Sequence, residues 1–411
     1  MKIAVWHNLP SGGGKRALYY HVRGLVERGH TVESWCPPTA DQTYLPLKDL
    51  ITEHVVPMPW QPRTAKTRFG TPAAYYYNVV GLTKALDRHC QECAEEINRG
   101  KFDLLFANSC RFMRTTSIGR YVKIPKVIYL QEPNRQLYEA LPRLPWIALP
   151  APESLWSAKY LADFFRDLIK VQGLRIHARE ELLNARAFDA ILVNSYYSRE
   201  SVLRAYGLDA KVCYLGIDTG VFNNQHRSRE NFVVGVGAIV AEKNIRFTIE
   251  ALAEVREPRP RLVWIGNVAE PTYLEELTRY AHSVGVSFES RVRVDDHQLV
   301  EILNRAMLMV YAPRLEPFGF APLEANACGL PVVAVAEGGV RETVIDGVNG
   351  MLVAHDPLAM AAAIEYIISD REYAERLRQA GSNLVVDRWS LDASIDRLER
   401  RFRGLINRNR G

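Results

Sequence analysis

MLMVYAPRLEPFGFAPLEANACGLPVVAV, residues 307–335, runs from one apolar stretch through a loop rich in Pro and Gly and a helix-compatible segment into a second apolar stretch. Short runs rich in Val, Leu and Ala on either side of a helical segment read as a strand–helix–strand unit in a parallel sheet buried on both faces. The spacing predicts strands over Met307–Ala312 and Pro331–Val335. Glu316 follows the first of these at the carboxyl edge of the sheet, where open α/β folds take up ligands, and Glu324 falls in the first turn of the helix. Between the two acids, the N–H groups near Gly319–Leu323 have no intrahelical partners and would form an anion site.

The same alternation extends outward in both directions. Strands are expected at Phe232–Val236, Leu262–Ile265 and Met351–Val353, with helices at Asn244–Arg256 and Pro357–Ile368. An earlier series comprises Lys2–Trp6, Thr31–Trp35, Leu104–Ala107, Lys126–Leu130 and Ala190–Asn194, with a helix over Arg16–Arg28. The chain therefore reads as an α/β protein of two Rossmann-like, doubly wound domains. The first is expected over residues 1–220 and the second over 228–390, joined by the polar stretch 220–230. A basic amphipathic segment, 391–411, is expected to form a helix packing back on the first domain. The segment Leu141–Trp156 carries four prolines among Trp and Leu, which forbids regular helix and suggests an ordered apolar insertion.

A length of 411 residues and a charged fraction of 24% are ordinary for a folded protein of two or three domains. The net charge of +5 is too small for a nucleic-acid footprint, but it is unevenly spread: +8 over residues 1–220, −6 over 221–390 and +3 over 391–411. The first half should therefore prefer anionic surroundings such as lipid headgroups or phosphate-bearing acceptors. Contact with an anionic membrane is expected through Arg111, Arg114, Arg120, Lys123 and Lys126, with Trp146 and Trp156 supplying apolar area; core tryptophans and a solvated basic face are the plainer alternative. The opening Met1–Val5 reads directly as a strand, and six scattered cysteines suit a reducing compartment, so a cytoplasmic location is expected, at or near the inner face of the membrane. Cys90 and Cys93 form a C-x-x-C beside His89 without a second pair at zinc-site spacing, and read as two thiols on one helix. No run is long enough to span a bilayer.

The first strand leads into Leu9-Pro10-Ser11-Gly12-Gly13-Gly14-Lys15-Arg16. Glycines there allow a tight turn and close backbone approach to an anion at the helix start. The loop is neither a Walker A motif, since Arg16 stands where Ser or Thr would hold magnesium, nor G-x-G-x-x-G. A tight turn without a ligand would look the same. Around Glu316 and Glu324 the chemistry is more particular. A carboxylate can accept two hydrogen bonds from vicinal ribose hydroxyls, a helix N-terminus can hold a diphosphate, and a second carboxylate one loop away can hold a sugar. Two surface acids favoured by the helix dipole are the plainer alternative.

The E-x7-E spacing of Glu316 and Glu324, the Ala327-Cys328-Gly329-Leu330-Pro331-Val332-Val333-Ala334 run, Glu337–Glu342 and Asp346–Gly350 closely resemble the retaining glycosyltransferases of the GT-B fold in the large family numbered 4. Gly237 with Ala241-Glu242-Lys243, Val193-Asn194-Ser195, Arg28–Val32 and Tyr214–Asp218 with Phe222 follow the same pattern, so the resemblance covers nearly the whole chain. It implies two domains facing across a cleft. Glu316 would contact the donor sugar and Glu324 the ribose, with Phe318, Gly319 and Phe320 lining the sugar pocket. Lys243 would neutralise the diphosphate, assisted by Gly13 and Gly14, with Gly266 and Leu323 completing the donor set. No cofactor or metal is implied, and the sequence has no D-x-D triplet that would suggest one.

Two positions depart from the family pattern. Ala238 stands where the family has Arg, and Arg246 and Arg314 are the candidate replacements. In Tyr129-Leu130-Gln131-Glu132-Pro133-Asn134-Arg135, Gln131 takes the place of a His; glutamine can hydrogen-bond a sugar hydroxyl but cannot carry a proton. Glu132 is a candidate base for the acceptor, or an ordinary loop carboxylate. The expected activity is retaining transfer of a hexose from a UDP- or GDP-sugar to a sugar, lipid-linked, polysaccharide or other alcohol acceptor. A nucleotide-sugar epimerase and a non-catalytic sugar-nucleotide-binding subunit are the alternatives.

Overall fold

The computed structural model describes residues 1–64, 71–140, 144, 146–148 and 157–410. They divide into two units: Met1–Val193 with Ser198–Cys213 and Leu398–Gly411, and Asn194–Tyr197 with Tyr214–Arg397.

The first unit is built on β1 (Lys2–Asn8), β2 (Thr31–Cys36), β3 (Thr52–Val55), β4 (Leu104–Cys110), β5 (Lys126–Tyr129), β6 (Ala190–Val193) and β7 (Lys211–Val212). They form one sheet in the order β3-β2-β1-β4-β5-β6-β7, with every neighbouring pair parallel. From Ile3 onward β1 is buried at every residue, because helices cover both faces of the sheet. One side of its core gathers Trp6, Cys90, Cys93, Ile97, Leu105 and Ile128. Strand order reverses between β1 and β4, so the loops after these two strands lie at the topological switch point.

The second unit repeats this plan with β8 (Phe232–Val236), β9 (Arg261–Gly266), β10 (Phe288–Val292), β11 (Leu308–Tyr311), β12 (Val332–Val335) and β13 (Gly350–Val353), in the order β10-β9-β8-β11-β12-β13. All pairs are parallel. Its switch point lies between β8 and β11. Local signals start its helices: Pro271 opens Pro271–Ser283, and Asp295 with Gln298 forms a capping box on Asp296–Arg305.

Every strand expected from sequence is present, each within two residues at either end except β4, which runs three residues further, to Cys110; β3, β7 and β10 were not expected. β3 and β10 are sheet edges whose sequences, TEHV and FESRV, mix charges into the pattern, as edges do to discourage further pairing. The C-x-x-C lies in the helix Thr71–Arg99, where burial pushes the Cys90 thiol up to about 12. His89 accepts from Trp6 Nε1 at 3.2 Å, and burial depresses its pKa to about 4. These are core groups. The proline-rich stretch lies largely outside the described residues: Trp156 is among those not described, whereas Trp146 is described and exposed. The chain ends in the helix Leu391–Arg410, whose Phe402 meets Phe106 edge-on at 5.1 Å and whose Glu399 is bonded to His30 at 2.5 Å and Arg28 at 3.5 Å.

Candidate functional site

In the second unit, the switch point brings together the loops that follow β8 and β11. After β8, the chain turns at Gly237, whose carbonyl accepts from Trp264 Nε1 at 2.9 Å. A Cβ at Gly266 would come within 2.8 Å of that carbonyl oxygen, so glycine there permits the ends of β8 and β9 to close up. A single 3-10 turn, Ala241–Lys243, then leads into Asn244, which is left-handed at φ 55° and opens the helix Ile245–Ala253. Asn244 Nδ2 donates to the carbonyl of Ala312 at 3.2 Å, tying this turn to the end of β11. The aliphatic chain of Lys243 lies against Gly237, and its Nζ donates to Glu316 Oε2 at 2.7 Å. About a quarter of each side chain is exposed, so the pair is reachable from solvent.

The Glu316 loop is held by its backbone. Leu315 sits in the left-handed region at φ 49°, an uncommon state for a bulky residue. The Gly339 N–H donates to Glu316 O at 2.7 Å, and Ser195 Oγ donates to Pro317 O at 2.5 Å. A Cβ at Gly338 would collide with the Glu316 backbone, and one at Gly339 with the Pro317 carbonyl. Glu342 in the same turn accepts from the N–H groups of Tyr196 and Tyr197 at 2.9 and 3.0 Å and from Tyr214 Oη at 2.9 Å.

Gly319, at φ 95°, caps the helix Phe320–Ala327, a backbone state that favours glycine. Pro322 has no N–H, so the donors left free at this start belong to Phe320, Ala321 and Leu323. Glu324 is buried at 5% exposure. Tyr311, at the end of β11, has its phenol pushed well above the usual range by burial and then by the charges of Glu316 and Glu324, so both carboxylates act on this strand end. Of the expected pocket residues, Phe318 packs edge-on against Phe320 at 5.5 Å and Trp389 at 5.6 Å, and Leu323 is fully buried.

The cations proposed to compensate for Ala238 are engaged elsewhere. Arg246 pairs with Glu250 at 3.1 Å and covers the Tyr280 ring at 4.2 Å, while Arg314 bonds Glu337 at 2.7 Å. Asn244, Ser195, Gly338 and Gly339 have positioning roles that the sequence did not disclose. An Asn after the lysine, at a position free to be left-handed, is the one local signal available for any of them.

In the first unit, Gly12 caps the helix Gly13–Glu27, and the Arg16 N–H donates to the Gly12 carbonyl at 3.0 Å. A Cβ at Gly14 would meet Gln131 Cγ at 4.0 Å, so the glycine loop and the Gln131 loop are neighbours at the carboxyl edge of this sheet. Gln131 O accepts from Ser198 Oγ at 2.9 Å. Glu132 lies 3.4 Å from Arg114 and 3.9 Å from Arg135, which favours the structural reading of that carboxylate over a free base. Beneath the loop, His7 and Glu53 form a buried pair at 3.0 Å. Lys15 is fully buried beside them, and burial lowers its pKa. Several cations expected to face an anionic surface are held within the unit: Arg111 donates to Thr39 O at 2.9 Å, Arg120 pairs with Glu180 at 2.9 Å, and Lys126 Nζ donates to Val122 O at 3.0 Å.

Comparison with known proteins gives the family and the fold. The model of Glycosyltransferase Family 4 matches residues 11–221, and that of Glycosyl transferases group 1 matches residues 217–384. A D-inositol 3-phosphate glycosyltransferase of Xylanimonas cellulosilytica is 30% identical over 249 residues, covering 55% of this chain and 58% of that protein. A GDP-mannose-dependent alpha-(1-6)-phosphatidylinositol monomannoside mannosyltransferase of Mycolicibacterium smegmatis is 30% identical over 224 residues, covering 49% of this chain and 58% of its own. The chain thus spans little more than half the length of these curated relatives. Among solved structures, the sucrose-phosphate synthase of Thermosynechococcus elongatus superposes with TM-score 0.70 at 18% identity, covering 99% of this chain and 100% of its own. Anabaena HepE, in complex with UDP and glucose, gives TM-score 0.67 at 20% identity, covering 97% and 98%. At such identities the structures establish the shared GT-B fold.

Proposed function

The chain belongs to glycosyltransferase family 4, and from that premise we propose that it transfers a hexosyl group, with retention of configuration, from a UDP- or GDP-sugar to an alcohol acceptor that is lipid-linked or part of a polysaccharide. The observation that carries this reading is the Lys243–Glu316 pair at 2.7 Å, set at the switch point of the second sheet beside the Gly319-capped helix start and the buried Glu324. Glu316 would hold the sugar, Glu324 the ribose, and Lys243 with the N–H groups of Phe320, Ala321 and Leu323 the diphosphate. Their charge meets the negative charge that develops on the leaving group, which is the work a metal would otherwise do. Gly13 and Gly14 belong to this proposal as further phosphate contacts.

In this mechanism the bond from the anomeric carbon to the diphosphate oxygen breaks as the acceptor oxygen bonds the same face of that carbon. The acceptor proton passes to the departing phosphate oxygen, so Gln131 need not carry it. That HepE was crystallised with UDP and glucose supports a nucleotide-sugar donor. The two relatives are named for an inositol phosphate and for a phosphatidylinositol mannoside, which supports a polyol acceptor bearing phosphate. The second of these names a lipid, which also supports work at an anionic membrane surface; among the described residues, no helix is long and apolar enough to cross a membrane. Ala238 and Gln131 are the observations that favour a second reading, a subunit that binds sugar nucleotide without turnover.

Incubation with a panel of UDP- and GDP-sugars, with and without acceptor extracts, separates the possibilities. Acceptor-dependent release of nucleoside diphosphate is the expected result. Conversion of donor alone to its epimer, or binding without release, would replace this reading.

A further inference from the structure

The helix Ala158–Arg186 is amphipathic in the wrong sense for a helix that only packs on its own domain. Leu161, Phe164, Phe165, Leu168 and Ile169 recur at i, i+3, i+4, i+7 and i+8 and so form one stripe, yet all five are exposed, Phe165 at 58% and Leu168 at 47%. Tyr160, Asp163, Asp167, Val171 and Leu174 occupy the opposite, less accessible side. Apolar surface of this extent turned to water is unfavourable unless something covers it.

The charges on the helix are sorted in the same way. Arg175, Arg179 and Arg186 continue the side of the stripe toward the C-terminal end and are exposed, as are Lys159 and Lys170 on the other side, whereas each of the acids, Asp163, Asp167, Glu180 and Glu181, is half-buried or buried. Asp163 is bonded to Arg166 and Glu180 to Arg120 and Arg179. The side shown to solvent thus carries the apolar stripe and, beyond it, three arginines, with no fully exposed acid on the helix. A second copy of the chain would oppose cations to cations. A bilayer with anionic headgroups would take the apolar stripe into its interface and pair with the cations at its surface. The +8 charge of residues 1–220 has the matching sign, and Trp146 and Ile147, exposed on the segment before the helix, add side chains suited to an interface.

We propose that this helix is the docking face of the protein on an anionic lipid bilayer, lying in the plane of the interface with Leu161, Phe164, Phe165, Leu168 and Ile169 inserted. The assignment deepens the membrane reading given above and moves it from Arg111, Arg120 and Lys126, which are engaged within the unit, to a different element.

The test is co-sedimentation of the full chain with vesicles of phosphatidylcholine alone and of phosphatidylcholine with about one third phosphatidylglycerol, at low and high salt. Binding should appear with the anionic vesicles and fade as salt rises. The variant Phe164→Ser/Phe165→Ser should lower the partition coefficient at least about tenfold, and Lys170→Glu/Arg175→Glu should abolish the preference for anionic lipid. These residues are exposed, so circular dichroism should be unchanged; acceptor-dependent release of nucleoside diphosphate, measured with detergent-solubilised acceptor extract and no vesicles, should be unchanged as well. Vesicle binding needs no donor, so failure of the transferase reading leaves this result interpretable. Binding that is absent, or unaffected by the Phe substitutions, would overturn the proposal. So would self-association that is lost in the Phe variant without any vesicle binding, which would make a second copy the occupant.

Discussion

Lys243 and Glu316 neutralise each other at 2.7 Å, and that pairing shapes what each substitution should do. Lys243→Ala would remove a cation proposed to meet the diphosphate and also leave Glu316 as an uncompensated anion close to it. With Ala238 unable to help and Arg246 and Arg314 engaged with other acids, transfer should fall by at least about a hundredfold, a barrier change of about 3 kcal/mol. Steady-state rates at saturating donor measure it. Glu316→Ala should abolish transfer while leaving nucleoside diphosphate binding close to wild type, because its proposed partner is the sugar. Glu324→Ala should weaken that binding by about 1.5 to 3 kcal/mol, the cost of losing hydrogen bonds to an ionised group. Titration calorimetry with the nucleoside diphosphate distinguishes the two, and unchanged affinity in Glu324→Ala would remove that residue from the ribose. Activity should also survive EDTA, since the proposed neutralisation is by Lys243 and backbone N–H groups; loss in chelator restored by manganese would contradict it.

At the scale of elements, the interior strands were legible because a strand buried on both faces must be apolar throughout, as in Ile3–Trp6 and Val332–Val335. Edge strands such as Thr52–Val55 escaped because half their residues answer to solvent. Glu316 and Lys243 were legible through the family pattern, but what positions them was not. Ser195 reaches Pro317 across 122 residues of sequence, and no local spacing encodes such a pair. The orientation of Ala158–Arg186 was hidden for a related reason: an apolar stripe shows that a helix has two faces without saying which one turns outward. The clamp on the Glu316 loop yields a prediction of its own. Gly339→Ala would drive a methyl group into the Pro317 carbonyl and displace Glu316, and a misplacement of about 1 Å can cost about a hundredfold in rate. Ser195→Ala removes only one hydrogen bond, worth about 1 kcal/mol, and should slow transfer less than tenfold. Comparing turnover at saturating donor ranks the two, and equal losses would argue against a clamp centred on Gly339.

At the scale of the molecule, the first unit holds two buried histidines, His7 and His89, in a way that makes it sensitive to acid. His89 is buried in the core, accepts from Trp6 Nε1, and has its pKa depressed by burial to about 4 from an ordinary 6.5. His7 is likewise lowered by burial, although its bond to Glu53 opposes the shift. A group whose folded pKa lies below its unfolded value binds its proton more readily in the unfolded chain. Stability from the neutral imidazole is therefore complete above pH 6.5 and is lost as pH falls through the interval down to about 4, where His89 protonates in the folded state too. For His89 the loss approaches about 3 kcal/mol, a large share of the stability of an ordinary domain. Glu53 adds to it at the lower end: burial alone would raise its pKa, but the bond from His7 holds it below the usual carboxylate range, so protonating it also favours unfolding. Urea unfolding between pH 7.5 and 4 should show a falling midpoint. His89→Gln keeps an acceptor for the Trp6 N–H and removes the titrating ring, so its midpoint should fall less steeply over the same interval even if it begins lower. Parallel curves for wild type and His89→Gln would show that His89 does not govern the acid limit, leaving His7 and Glu53 to account for it.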